Sequence, residues 1–229
     1  MTLKREDIDK LVKDSNRAAL LYGPRGTGKT TIAQKSARLK QPIYSVTLTG
    51  EQSAASIVGH FIQEKGQFVW HDGPAAKAWL EGGLLIINEI DHASEDVSNI
   101  LHAILDDFEV AQLTLPNNQT IKPKEGFRVI ATMNGVPGDL NMAVLDRFSM
   151  ILPVTMPSKE MLNSLKKDSR QACVNIYGST GKKDPQFTYR MFRAFDELRE
   201  SVTERMAAEI VVIDKSSAGP FIEALKVAA

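Results

Sequence analysis

One eight-residue run constrains the fold more than any other feature of this chain. Gly23-Pro24-Arg25-Gly26-Thr27-Gly28-Lys29-Thr30 matches G-x-x-x-x-G-K-[ST] at every position. The apolar stretch Ala18-Ala19-Leu20-Leu21-Tyr22 precedes it and reads as a buried parallel strand. A helix-forming stretch, Thr30 to Leu39, follows. The glycines let the backbone curl so that successive N–H groups converge on one anion. The start of the helix adds its positive dipole end. Residues Gly23, Pro24, Arg25, Gly26, Thr27, Gly28, Lys29, Thr30 and Thr31 are therefore the candidate phosphate-binding set. Within it, Lys29 reaches the β- and γ-phosphates and the Thr30 hydroxyl holds Mg²⁺.

The bulk numbers exclude several classes. Lys+Arg and Asp+Glu are both 28, so the formal charge is zero, which argues against a chain built to coat nucleic acid or anionic membrane. A single cysteine, Cys173, excludes an intrachain disulfide and a cysteine-rich zinc site, and it reads as a packing residue. A reducing, cytoplasmic setting is expected. The N-terminal Met1 to Asp7 has no apolar signal core, and no apolar run approaches the roughly 20 residues needed to span a bilayer.

Residues 3–14 form an amphipathic helix with Leu3, Ile8, Leu11 and Val12 on one face. Pro42 to Leu48 is a second strand, Glu51 to Val58 a weak helix, and Phe61 to Trp70 a hairpin broken at Gly66. Pro74 to Glu81 is a helix with Pro at its first turn and Gly82-Gly83 past its end. Leu84-Leu85-Ile86-Ile87 suits a central parallel strand. Helical spacing covers Glu95 to Asp107, and Val110–Leu115 with Thr120–Lys122 makes a second hairpin. Phe127 to Thr132 and Met150 to Leu152 are further strands. Strands alternating with helices predict a doubly wound α/β core. Two prolines in Leu152-Pro153-Val154-Thr155-Met156-Pro157 mark a hinge. Beyond it lie only helical patterns, over 158–176, 188–212 and 217–228, with a polar loop at Gly178 to Pro185 between the first two.

The strand 84–87 ends in Asn88-Glu89. Ligands of open α/β sheets sit at the carboxyl ends of strands, so this strand can deliver both residues to the glycine loop. P-loop enzymes place an acidic residue there for Mg²⁺, then a carboxylate that orients the attacking water. Glu89 fits the second role. Asn88 stands where Asp is expected; its amide oxygen can accept from a Mg²⁺-bound water but carries no charge, which predicts weaker Mg²⁺ binding or slower turnover. Asp91 either turns inward to compensate or is a loop charge or helix cap.

Three further segments join the glycine loop in a family pattern: Gly66-Gln67-Phe68-Val69-Trp70-His71-Asp72-Gly73-Pro74 running through Ala78–Gly83 to Glu89; Phe127 to Asn134; and Met142-Ala143-Val144-Leu145-Asp146-Arg147-Phe148. With them, the span from about Leu20 to Phe148 resembles the AAA+ ATPases, above all the MoxR branch and the related dynein/midasin-like modules. The resemblance implies a P-loop αβα sandwich with a parallel sheet over 1–154, carrying hairpin insertions near 60–72 and 109–126, then a small all-helical lid over 155–229. It implies ATP with Mg²⁺ as ligands. Glu89, Asn134, Arg147 and Arg190 are the catalytic set. Asn134 bonds the lytic water or the γ-phosphate. Arg147 reaches a neighbouring subunit's site, unless it makes a local carboxylate pair. Arg190, in Phe187-Thr188-Tyr189-Arg190, touches phosphate from the lid, with Arg193 as its competitor. Thr30 and Asn88 are the metal residues.

An arginine acting in trans implies a ring, expected to be a homo-hexamer that remodels a protein client; membrane is not a partner. Phe61, Phe68 and Trp70 would grip a client or simply pack, and Lys122 and Lys124 would meet an acidic partner or form a solvated hairpin edge. His92 stands where the MoxR pattern often has Arg. With no further domain after the lid, a bare motor module is expected. A nucleic-acid motor related to the McrB GTPases is a weaker alternative, because Met133 to Asp139 lacks the polar N-T-A-D-R-S run; Lys182-Lys183-Asp184 also does not fit the [NT]-K-x-D guanine signature. A non-catalytic, nucleotide-gated scaffold is the other alternative, suggested by Asn88.

Overall fold

The computed structural model describes residues 3–16, 18–181 and 184–228. Readings that fall on Met1-Thr2 and Lys182-Lys183 lie outside the described residues. The chain forms two compact units, one of Met1–Tyr22 with Lys29–Pro153 and one of Gly23–Gly28 with Val154–Ala229.

The first unit runs α1 (Arg5–Asp14), β1 (Ala19–Tyr22), α2 (Lys29–Lys35), β2 (Ile43–Thr47), α3 (Ala54–Val58), β3 (Gly59–Glu64), β4 (Gln67–Asp72), α4 (Pro74–Glu81), β5 (Leu84–Asn88), α5 (Glu95–Leu105), β6 (Leu113–Thr114), β7 (Thr120–Ile121), β8 (Arg128–Met133), α6 (Met142–Leu145) and β9 (Met150–Pro153). Its sheet has five strands in the order β2-β5-β8-β1-β9, all parallel. This is the doubly wound α/β class read from the sequence. β1 and β8 are buried at every position, as a parallel strand covered on both faces must be. Leu20, Leu85, Ile87, Val129, Ala131 and Leu101 share one core cluster on the helix-covered sheet.

Register matters for the site. Leu84 pairs with Arg128 and Ile87 with Ala131, while Leu21 pairs with Thr132. The carboxyl ends of β5 and β8 therefore open on the same edge.

Arg128 opens β8 only 2% exposed. It donates to the carbonyls of Val12 at 2.9 Å, Ser15 at 3.1 Å and Ser36 at 2.6 Å. It thus caps the ends of α1 and α2 with one cation. Burial, and then the charge of Arg38, lowers its pKa to about 10. The helix expected to reach Leu39 stops at Lys35, where Arg128 takes the Ser36 carbonyl.

The β3–β4 ladder is antiparallel, from Gly59 opposite Asp72 to Glu64 opposite Gln67. Phe61 stacks edge-on against Trp70, with ring centroids 5.2 Å apart, while Phe68 is 74% exposed. The second hairpin is shorter than its sequence pattern. Residues 108–110 turn rather than extend, and only Leu113–Thr114 and Thr120–Ile121 pair. Leu113, Leu115 and Ile121 pack on Trp79.

The second unit adds α7 (Lys159–Asn163), α8 (Lys167–Thr180), α9 (Tyr189–Leu198), α10 (Glu204–Val211) and α11 (Ala218–Ala228). The two long helical patterns each break once. The first breaks where the Lys166 N–H goes to Asp196 at 2.7 Å and the Leu165 carbonyl to Arg170 at 3.1 Å. The second breaks ahead of Thr203, whose hydroxyl caps α10 by accepting the Met206 N–H. α8 also extends to Thr180, into the stretch expected to be a loop. Cys173 is buried in the helical core, and burial pushes its thiol up to about 12, as befits a packing residue. No helix among the described residues is long and apolar enough to cross a membrane.

Candidate functional site

The site starts from the apolar character of β5, which is sunk in the sheet until its last residue, Asn88, reaches the edge. Asn88 is held from both ends of its amide. Its Nδ2 donates to Ser45 Oγ at 3.1 Å and to the Val46 carbonyl at 3.5 Å. Its Oδ1 accepts from Thr30 Oγ1 at 2.9 Å and from Thr132 Oγ1 at 3.3 Å. The donors on one side and acceptors on the other fix which way the amide faces. The acceptor side therefore faces the Thr30 hydroxyl at the start of α2.

Lys29, one residue earlier, is 8% exposed, and its Nζ donates to Asn134 Oδ1 at 3.0 Å. Asn134 directly follows β8, so the parallel register brings the ends of β5 and β8 to the same helix start. Glu89 has φ +55° and ψ +49°, a left-handed conformation in a non-glycine residue. Its side chain is exposed, and its carbonyl accepts the His92 N–H at 2.9 Å. Such backbone strain persists only where the surroundings over-determine it, and it concentrates at functional sites.

Asp91 is mostly buried. Its Oδ2 lies 3.8 Å from His92 Nε2, and its Oδ1 has no hydrogen-bond partner among the described residues. Arg147 pairs through Nε with Asp106 Oδ1 at 3.0 Å and donates to the Ala143 carbonyl at 2.7 Å. In this chain alone it makes the local carboxylate pair, with Asp106 rather than its neighbour Asp146. Thr31 is exposed on α2. On α9, Arg190 is exposed, while Arg193 pairs with Glu197 at 3.1 Å.

The glycine loop belongs to the second unit by its contacts. Gly23 has φ +133°, and a Cβ there would lie 2.6 Å from the Val154 carbonyl oxygen. Gly26 has φ +77°, and a Cβ there would lie 2.7 Å from the Tyr177 hydroxyl. Thr27 is fully buried, and its hydroxyl donates to the Pro24 carbonyl at 3.0 Å. Arg25 pairs with Asp184 at 2.8 Å.

Sequence reasoning missed four residues of this region. Thr132 and Ser45 were visible only as strand residues; the register that sets Thr132 beside Asn88 was the one available signal. Tyr177 and Asp184 gave none, because they meet Arg25 across more than 150 residues of chain.

A parallel sheet whose strand ends gather a buried lysine, a helix-start threonine and two amides defines a P-loop protein. Residues 18–148 match the AAA domain of the dynein-related subfamily, and the chain belongs to that family. It is 36% identical to NorQ of Paracoccus denitrificans over 54% of this chain and 45% of that protein. It is 35% identical to the denitrification regulatory protein NirQ of Stutzerimonas stutzeri over 54% of this chain and 44% of that one. An uncharacterized protein of Staphylococcus haemolyticus is 36% identical over 71% of this chain and 64% of its own length. The chain thus spans about half to two thirds of these relatives. A crystal structure from Cytophaga hutchinsonii shares the fold, with TM-score 0.53 at 18% identity, over 97% of this chain and 67% of that one.

Proposed function

We propose that this chain binds ATP with Mg²⁺ and hydrolyses it, as one subunit of a ring, expected to be a homo-hexamer, that remodels a protein client. The observation that carries this reading is the convergence of Lys29, Thr30, Asn88 and Asn134 at the ends of β5 and β8. The residues suit the ligand. Lys29 supplies a buried cation, and Thr30 and Asn88 supply oxygen donors for a hard cation. Bound Mg²⁺ would offset charge on the phosphates.

The chain's own residues do the rest. Lys29 binds phosphate by a charge-assisted bond. Thr30 and Asn88 would hold the metal, while Glu89, exposed and next to Asn88 in sequence, draws a proton from the attacking water. Asn134, fixed by Lys29, orients that water or the γ-phosphate. Arg147 leaves Asp106 and acts on a neighbouring subunit's nucleotide, and Arg190 contacts phosphate.

Asn88 favours a second reading, in which the chain binds nucleotide as a gated scaffold and hydrolyses little. Binding of a fluorescent ATP analogue and release of phosphate separate the two. Lys29→Ala should weaken binding about 10- to 100-fold. Glu89→Gln should keep binding and lower phosphate release by about 100-fold or more. Equal, background release from wild type and Glu89→Gln leaves the scaffold; undiminished binding by Lys29→Ala removes both readings. Solution mass with and without the analogue tests the ring, since a chain that stays monomeric when loaded has no use for Arg147 in trans.

A further inference from the structure

We propose that Tyr177 and Asp184 are positioning residues for the glycine loop, holding two successive peptide planes in the orientation that phosphate binding needs. This rests on the nucleotide reading above. The first plane is Pro24–Arg25. Its N–H donates to Asp184 Oδ1 at 2.9 Å, and its carbonyl accepts from Thr27 Oγ1 at 3.0 Å. Both polar groups of that peptide are therefore tied. The second plane is Arg25–Gly26, whose carbonyl accepts from the Tyr177 hydroxyl at 2.5 Å. In a trans peptide the carbonyl and the N–H point opposite ways. Anchoring the Arg25 carbonyl on Tyr177 consequently turns the Gly26 N–H away from Tyr177, where it is left to face an anion.

The anchor itself is rigid. Tyr177 is 1% exposed in the helical core, and its oxygen also accepts the Tyr189 N–H at 3.1 Å. Tyr189 in turn shares a 2.9 Å hydrogen bond with Ser164. Burial raises the Tyr177 phenol far above its ordinary range, so it remains a donor at any working pH. Gly26 closes the fit, since any side chain there would strike the Tyr177 hydroxyl. The outer ion pair of Arg25 with Asp184 is largely solvated and contributes little by itself. The weight falls on the hydroxyl and on the backbone bond, which shape the loop before any ligand arrives. Preorganisation of this kind raises affinity by removing the ordering cost from the binding step. It also ties the loop to α8 and α9 without any contribution from Arg190.

Equilibrium binding of a fluorescent ATP analogue with Mg²⁺, measured beside thermal unfolding, tests this. Tyr177→Phe keeps the ring in the core and removes only the hydroxyl, and should weaken binding about five- to tenfold. Asp184→Ala, at the surface, removes the acceptor of the Arg25 N–H and should weaken it about threefold. Glu209→Gln, in a remote exposed pair on α10, should change nothing. If wild type binds the analogue and both variants bind within twofold of it, the positioning role is wrong while the nucleotide reading stands. If wild type does not bind, both fall. Should Tyr177→Phe fail to fold, Asp184→Ala decides the matter.

Discussion

In the α/β unit the polar side chains gather where strands end, at Lys29, Asn88 and Asn134 beside Thr30; in the helical unit they are sunk between helices. There Arg199 grips Asp168 with both terminal nitrogens, at 2.5 and 2.7 Å, and reaches Asp196 at 2.8 Å. Asp196 also takes the Ser169 hydroxyl and the Lys166 N–H, each at 2.7 Å. That cluster ties α9 to α8 and to the break ahead of it, and leaves nothing aimed at a ligand. Apart from Arg128, buried at the opposite end of β8, the α/β unit keeps its strands apolar and exports its polarity to one edge, where the Asn134 amide accepts from Lys29. The Asp168–Asp196–Arg199 cluster of the helical unit therefore serves architecture, whereas the edge polarity of the α/β unit is where the proposed chemistry would take place. The two should fail differently when broken.

Three substitutions break or sharpen that contrast, in order of effect. Phe221 is fully buried, with the rings of Phe187, Phe192 and Phe195 centred 5.1, 5.0 and 5.2 Å away. Phe221→Ala should cost about 3–5 kcal/mol of stability in denaturant unfolding, through the cavity it leaves. A loss under 1 kcal/mol would mean that the aromatic cluster is not what holds the helical unit together.

Asp168→Asn should cost about 1.5–3 kcal/mol near neutral pH. The bidentate bond from Arg199 holds the Asp168 carboxyl below its usual range. Its stabilisation is present above the unfolded value and is lost as pH falls through the folded one. Wild type should therefore lose stability steeply below about pH 4, and the variant less steeply. Parallel pH profiles would show that the cluster is inert.

The smallest change falls on the edge. Asn88→Asp places a charge beside Thr30 and removes the donors to Ser45 and Val46. Chelating magnesium should then weaken binding of the ATP analogue about tenfold more in the variant than in wild type. Stability should move little. Equal magnesium dependence would show that Asn88 does not face the metal.

Much of this was legible in the residues. The apolar run 84–87 and the motif at 23–30 set a parallel sheet with a phosphate loop, since a strand buried on both faces has no other composition. The Gly66 break sits at the turn between β3 and β4. The long helical patterns were less informative, because periodicity does not see a carbonyl or N–H captured by a distant side chain. Arg128 ended α2, and Asp196 helped to end the first pattern of the helical unit, from positions far along the chain.

What the sequence determined by itself is the chemistry that can occur: a lysine and a threonine at a helix start, and an amide where a carboxylate is expected. Local spacing suffices for that, because strand, loop and helix are set by neighbours a few residues apart. Only the tertiary structure decided the company those groups keep. It set which way the Asn88 amide faces, gave Arg147 to Asp106, and placed the Arg25 carbonyl on Tyr177. Those outcomes depend on register and on contacts across long stretches of chain, where each polar group had several possible partners and packing chose among them.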